Sequence, residues 1–361
     1  MVQPAIVREP LKFKPLIQSR LWGGDGLYRL LGKGDPTDKD MGESWELSDR
    51  DDNASAIING PFSGRNLREV FSIHARDILG SQYSPSLARF PLLYKFIYAR
   101  ENLSVQVHPG ENSPLGESKT ECWYILDAPP GAELILGIAG SGDRESIMAA
   151  LRTEECRSVL NRVPVRSGDM FFIPAGTVHA ITAGLLLYEV QQNSDTTFRL
   201  YDWDRTDSSG KPRQLHLRES EQVIDLRRHD KHRIPPMILK HEDHTEEYLV
   251  ACRHFAVVKL SGYAGPVPVP LDNRERFRVL TCVAGSFEIS WDGGQPLDIG
   301  LGETLLVPAA CPNPKLQEAA PGSSLLASFL PELEEDVFAP LRAGGYADKD
   351  IRELGGLEGL A

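Results

Sequence analysis

The chain has 361 residues, 41% hydrophobic and 25% charged, which excludes a disordered or collagen-like protein and supplies enough apolar side chain for one large or two moderate cores. Lysine plus arginine total 39 and aspartate plus glutamate 51, so the net charge of −12 opposes long-range attraction to nucleic acid or to an anionic membrane. No apolar run of about 18 residues occurs, and the N-terminus lacks a secretory-type apolar stretch, so a cytoplasmic protein is expected.

Glycine (32) and proline (26) punctuate short apolar runs through most of the chain, which predicts an all-β dominated fold. In chain order, NLREVFSIHARDIL (66–79) has helical periodicity, and a dense set of strand-like runs follows from FPLLYKFIYA to HAITAGLLLYEVQQ, between about 90 and 192. Within that set, RESIMAALRTEECRSVLNRV (144–163) is predicted as a helical insert. The charged, proline-containing segment 226–247 is the expected module boundary, and a second strand set spans about 255–310. PELEEDVFAPLRAG is again helical. The expected organisation is therefore a β domain with helical inserts at 1–235, a second β domain at 236–325 and a helical C-terminal tail at 326–361. Cys122, Cys156, Cys252, Cys282 and Cys311 form no C-x-x-C pair and read as reduced structural thiols.

The richest stretch is Gly168–His179, GDMFFIPAGTVH: Gly, five residues, Pro, one residue, Gly, two residues, His. A turn feeds a strand, and a second turn presents a histidine. This resembles the second motif of the cupin superfamily, whose double-sheet jelly roll holds a metal, although Ala183 stands where an Asn often closes the motif. Upstream, Gln106 and His108 lie two apart and project to one face of a strand. Alternation along KTECWYIL places Glu121, Trp123 and Ile125 on one face and Cys122 on the other, and an inward carboxylate there needs a partner. Gln106, His108, Glu121 and His179 supply one amide oxygen, two imidazoles and one carboxylate, with room left for water or substrate. One zinc per chain is expected, with manganese, iron or cobalt as alternatives.

Beyond these residues, RLWGG (20–24), MGESWELS (41–48), LSVQVHP (103–109), KTECWYILDA (119–128), SGDMFFIPAGTVHAI (167–181), YEVQQNSDTTFRLYDWDR (188–205) and GKPRQLHL (210–217) resemble the class I mannose-6-phosphate isomerases in their short bacterial form. The resemblance implies a pair of cupin-type jelly-roll modules with peripheral helices, and interconversion of mannose 6-phosphate and fructose 6-phosphate with bound zinc. It also implies that Gln106, His108, Glu121 and His179 are the ligands. The second module, in GETLLVPAACPN (302–313), keeps the Gly, five residues, Pro spacing but has Ala310 and Asn313 where the first has Gly176 and His179, so a metal-free, degenerate barrel is expected.

Isomerisation through an enediol needs a proton carrier besides the Lewis acid. The candidates are Lys119, on the face of Glu121, and Glu189. A lysine base would need a lowered pKa. Asp195 and Arg199 match active-site positions of the family, and Arg199 suits an enediolate or sugar oxygen. Arg205, Lys211 and Arg213 are the nearest basic groups for a 6-phosphate, since no glycine-rich phosphate loop is present. Longer family members carry a His where this chain has Ser118, a departure that leaves any proton-handling role of that His to another group. His241–His244 lacks the metalloprotease spacing of two histidines four apart and reads as a solvated linker, and His229 and His232, among basic residues, read as surface charge. Two alternatives stay open: a cupin oxygenase using the same ligands, and a non-catalytic sugar-phosphate-binding regulator. Oligomeric state is not legible.

Overall fold

A computed structural model describes residues 6–139, 143–153, 155–207, 209–226, 233–269 and 276–357. The chain divides into two units, one formed by Ile17–Ser44 and Tyr94–Arg233, the other by Met1–Leu16, Trp45–Leu93 and Ile234–Ala361. Residues 45–93 and the N-terminal segment thus group with the second unit, not with the first as a linear division at 1–235 expects. The physical reason is strand pairing: Leu11–Lys12 pairs antiparallel with Thr304–Val307, and Ala309 and Ala310 donate backbone hydrogen bonds to Ile78 and Asp77.

The strands that build the site are β1 (Leu16–Gly24), β2 (Met41–Leu47), β3 (Leu92–Tyr98), β4 (Val105–Val107), β5 (Glu121–Asp127), β6 (Glu133–Ile138), β7 (Leu160–Pro164), β8 (Met170–Ile173), β9 (His179–Ile181), β10 (Leu186–Gln192) and β11 (Phe198–Tyr201). One sheet runs Arg233–Ile234, β8, β5, β10, β3, β2, β1; the other runs β7, β6, β9, β4, β11. Strand alternation sorts the side chains. Trp123 and Ile125 of β5, Leu134 and Leu136 of β6 and Phe171 and Ile173 of β8 share one buried cluster. Val105 and Val107 of β4 and Ile135 of β6 turn to a second cluster, closed by Ile147, Met148 and Leu151 of the helix Arg144–Leu151. This leaves Gln106, between the two valines, on the first side. The expected two-sheet β architecture holds.

The second unit has a seven-stranded sheet, ordered Leu11–Lys12, Thr304–Val307, Arg278–Ala284, Ser324–Phe329, Ala256–Ser261, β13 (Thr245–Ala251), β12 (Met237–Lys240), and a four-stranded sheet. Its helix Leu67–Leu79 starts at a capping box in which Asn66 accepts from the Glu69 amide and Glu69 reaches back to Asn66.

Three local expectations are corrected. The insert predicted over 144–163 is helical only at Arg144–Leu151 and Cys156–Val159; Leu160–Pro164 alternates in burial and pairs with β6. The C-terminal segment is no loose tail, because Ser324–Phe329 is an interior strand of its sheet and Val337, Leu341, Ile351, Leu354 and Leu357 are buried. The boundary segment holds an ordered hairpin, with Lys240 opposite Thr245 across a turn at 241–244. His229 and His232 lie outside the described residues. All five cysteines are buried thiols. Among the described residues no helix is long and apolar enough to cross a membrane.

Gly23 explains part of the RLWGG segment. A Cβ there would stand 2.1 Å from the Asp40 carbonyl oxygen, which accepts the Arg20 amide at 2.8 Å. Backbone on both sides cannot yield, so Gly23→Ala is expected to destabilise the fold by about 1–3 kcal/mol. A denaturant midpoint equal to that of the parent chain would show that the β1–Asp40 contact is loose.

Candidate active site

The turn that delivers His179 depends on glycine. Gly176 sits at φ +89°, where other residues are strained, and its N–H donates to the His108 carbonyl at 2.9 Å. That bond ties the turn before β9 to the chain just after β4. His179 then pairs in register with Gln106.

Each buried histidine is oriented by a backbone carbonyl: His108 Nδ1 donates to Thr196 O at 2.8 Å and His179 Nδ1 to Thr177 O at 2.9 Å. Both Nε2 lone pairs are thereby left facing the interior, the orientation that metal-binding imidazoles require. The Gln106 amide donates to His179 Nε2 at 3.2 Å. Glu121, with no exposure, places Oε1 3.3 Å from His179 Nε2 and Oε2 3.7 Å from His108 Nε2. Burial and the Lys119 ammonium hold both histidines neutral, His179 down to about 3. Ligand atoms of His108, Glu121 and His179 all lie within 4.8 Å of one another.

Whether this set fits a cation is decided by Glu121. Its Oε1 is buried and accepts no hydrogen bond, and burial raises the carboxyl to about 7 although Lys119 opposes the rise. Glu121 Oε1 is uncompensated, and with the two neutral imidazole nitrogens beside it, which here accept from Lys119 and from Gln106, it makes a donor set that a divalent ion satisfies. His108, Glu121 and His179 therefore fit a metal, and Gln106 stands beside them with its amide NH2 toward His179.

Beside them lies a buried charge chain. Lys119 Nζ donates to Glu121 Oε2 at 2.5 Å and to His108 Nε2 at 3.1 Å, and stands 4.0 Å from Glu189. Glu189 is held by Lys95 at 3.2 Å and by the Trp123 indole at 3.0 Å. Although burial disfavours their charges, Glu121 and Glu189 raise the Lys119 pKa, and Lys119 and Lys95 pull Glu189 down to about 2. The lowered lysine pKa expected of a base is not what this environment produces: the carboxylates outweigh desolvation, and Lys119 stands as an ammonium.

These groups open onto a cavity of about 440 Å³ lined by, among others, Gln106, Lys119, Glu189, Asp195, Arg199 and Arg213. Arg199 faces Gln106 across β11 and β4 and donates to Gln214 O at 2.8 Å. Its Nε has no hydrogen-bond partner, and burial followed by the neighbouring Arg213 charge lowers its pKa, so the environment invites an anion. Arg213 is bidentate on Asp202, at 2.7 and 2.5 Å. Arg205 also binds Asp202, at 2.6 Å, but lines a separate depression with Arg157 and Trp203. Lys211 is exposed and does not line the cavity. Of the three basic groups expected at a phosphate, only Arg213 reaches the cavity. Ser118 donates to Gln192 Oε1 at 3.1 Å, the oxygen that also accepts the Thr120 amide, so it braces the approach to β5.

Three further lining residues are not singled out by the sequence, although Arg20 and Glu43 lie within the resembling segments RLWGG and MGESWELS. Lys95 stands out only as a charge inside the apolar run LLYKFIY. Arg20 and Glu43, paired at 2.8 Å, come from β1 and β2, distant in sequence from every ligand.

A model of the catalytic domain of type I phosphomannose isomerase matches residues 11–135. Mannose-6-phosphate isomerase ManA of Bacillus subtilis (strain 168) is 39% identical over 293 residues, covering 77% of this chain and 86% of its own. Mannose-6-phosphate isomerase of Streptococcus mutans is 38% identical over 222 residues, covering 60% and 68%. The crystal structure of the mannose 6-phosphate isomerase from Bacillus subtilis superposes with a TM-score of 0.79 at 30% identity, covering 89% of this chain and 99% of that one. With a donor set suited to a metal beneath a basic cavity, and relatives matched over most of their length, the chain belongs to the mannose-6-phosphate isomerase family.

Proposed function

We propose that the chain interconverts mannose 6-phosphate and fructose 6-phosphate, by proton transfer through an enediol. The observation that carries this reading is the placement of the buried His108–Glu121–His179 cluster directly behind a cavity lined by Gln106, the Lys119 ammonium, the Glu189 carboxylate and Arg199, with Lys119 touching both Glu121 and His108. Family membership favours it over an oxygenase or a non-catalytic binder. A divalent ion held by the four donors, zinc in this reading with manganese, iron or cobalt as alternatives, would supply Lewis-acid polarisation of the substrate oxygens.

The protein's own residues account for the proton. Lys119, kept charged by two carboxylates, donates to the substrate oxygen on which negative charge develops. Glu189, kept ionised by Lys95 and Trp123, accepts the carbon-bound proton and returns it to the neighbouring carbon. Arg199 holds charge at every working pH and steadies the enediolate. The 6-phosphate is held by Arg213 and Arg20, each restrained by a carboxylate, with Asp195 at the exposed rim. Arg205 supports that grip indirectly through Asp202, and Lys211 takes no part. The second unit, lacking the Gln-x-His pair and the turn histidine, serves a structural role in this reading. Five buried thiols suit a reducing, cytoplasmic setting.

Three outcomes test the reading. Formation of fructose 6-phosphate from mannose 6-phosphate should vanish on chelation, return with zinc, and be absent from His179→Ala, which should also lose most bound metal; turnover by metal-free protein would overturn the assignment. Lys119→Met and Glu189→Gln should each keep the metal and lower kcat by about 10²–10⁴-fold, and normal kcat in either would remove that residue from the proton path. Arg20→Met should raise KM for mannose 6-phosphate with little change in kcat, while an unchanged KM would place the phosphate elsewhere.

A further inference from the structure

The turn at 241–244 joins β12 to β13 in the second unit, and it is not a solvated linker. His241 N donates to His244 O at 2.9 Å, closing the turn, and the two imidazoles stack with centroids 4.4 Å apart. Glu246, two residues along β13, stands below both rings: Oε1 is 3.4 Å from His244 Nε2 and Oε2 is 3.7 Å from His241 Nε2. The side chains of His244 and Glu246 are only 10% and 12% exposed, whereas that of His241 is 41% exposed.

Two observations distinguish this cluster from ordinary surface charge. His244 Nδ1 is engaged by Asp243 Oδ1 at 2.7 Å, an arrangement that fixes the ring and aims Nε2 at Glu246, as carboxylates orient metal-bound histidines. Glu246, nearly buried, has no lysine or arginine partner among the described residues; its ion pairs there are to the two histidines alone. Neutral imidazoles do not balance that charge, whereas a cation held between the three groups, a proton or a metal, does. Tyr263 closes the cluster from the inside, its ring 5.3 Å from His244 and its buried hydroxyl without a hydrogen-bond partner among the described residues.

We propose that His241, His244 and Glu246 form a second metal site, taking a divalent transition ion of the zinc type. Their ligand atoms lie within 4.8 Å of one another. Tetrahedral zinc ligands stand about 3.4 Å apart, so modest side-chain rotation completes three-point coordination, and the exposed flank at His241 leaves the fourth position to water. Two imidazoles and one carboxylate select zinc, cobalt, nickel or copper over calcium or magnesium. The ion clamps the hairpin and neutralises Glu246.

The test is zinc titration of the full-length holoenzyme by calorimetry, with metal content measured after desalting. The wild type should take up a second equivalent, and His241→Asn and Glu246→Gln should weaken that step at least ten-fold while isomerase turnover per catalytic metal stays unchanged. In a His179→Ala background, Co2+ should still give visible ligand-field absorption, lost when His244→Ala is added. Saturation of the wild type at one zinc, or a second equivalent that survives both substitutions, would overturn the proposal.

Discussion

A carboxylate removed entirely from water must find positive charge or lose its own, and Glu121 is the group on which the architecture of the site turns. One of its oxygens takes the Lys119 ammonium; the other takes nothing from the protein. Everything adjacent is arranged so that this remains tolerable and useful. Carbonyls of Thr196 and Thr177 hold the two histidines in the tautomer that turns lone pairs, not protons, toward Glu121. Glu189 and Lys95 extend the alternation of charge, so that four ionic side chains, each at least nine-tenths buried, balance one another next to a cavity. Replacing one member would strand its neighbour, which costs far more than the pair contributes to stability. The site is thus held by mutual necessity rather than by the worth of any one bond.

The backbone supports this by fixing distances that side chains alone cannot. Register between β4 and β9 places His179 opposite Gln106, and the Gly176 turn anchors that register to the His108 carbonyl. Alternation on β5 sends Glu121, Trp123 and Ile125 inward together, so the strand that offers the carboxylate also offers the indole that restrains Glu189. Sheet period and site chemistry are the same pattern read at two scales.

That common pattern explains why much of the site is legible in the amino-acid sequence. The Gln106-x-His108 pair, the Gly168–His179 spacing and the inward Glu121 are local features, and local periodicity reports them directly. Lys119 and Arg199 follow from the resemblance of their segments. Arg20 and Glu43 lie within two of the resembling segments, RLWGG and MGESWELS, yet nothing local marks them, or Lys95, as cavity residues, because sheet order alone brings β3, β2 and β1 to the same side as β10. Sequence proximity misplaces Arg205 and Lys211 for a related reason: after β11 the chain turns through Trp203 and Asp204, both at positive φ, and residues near the cavity in sequence leave it in space. The hairpin at 241–244 reads as linker because charge and proline content describe solvation well and cross-turn stacking not at all. Likewise the helix expected to run on to residue 163 gives way to β7, where pairing with β6 overrides helical propensity.

The pairing of Leu11–Lys12 with Thr304–Val307 bears on how the protein is made. A ribosome delivers Leu11 long before Leu306, so the edge that the short N-terminal strand will cover exists only near the end of synthesis. The first unit, whose last described strand contact involves Arg233, has all of its partners available while the second still waits for most of its sheet. Folding on the ribosome is therefore asymmetric, with the first unit able to close early while the second waits for strands that only the final third of the polypeptide supplies.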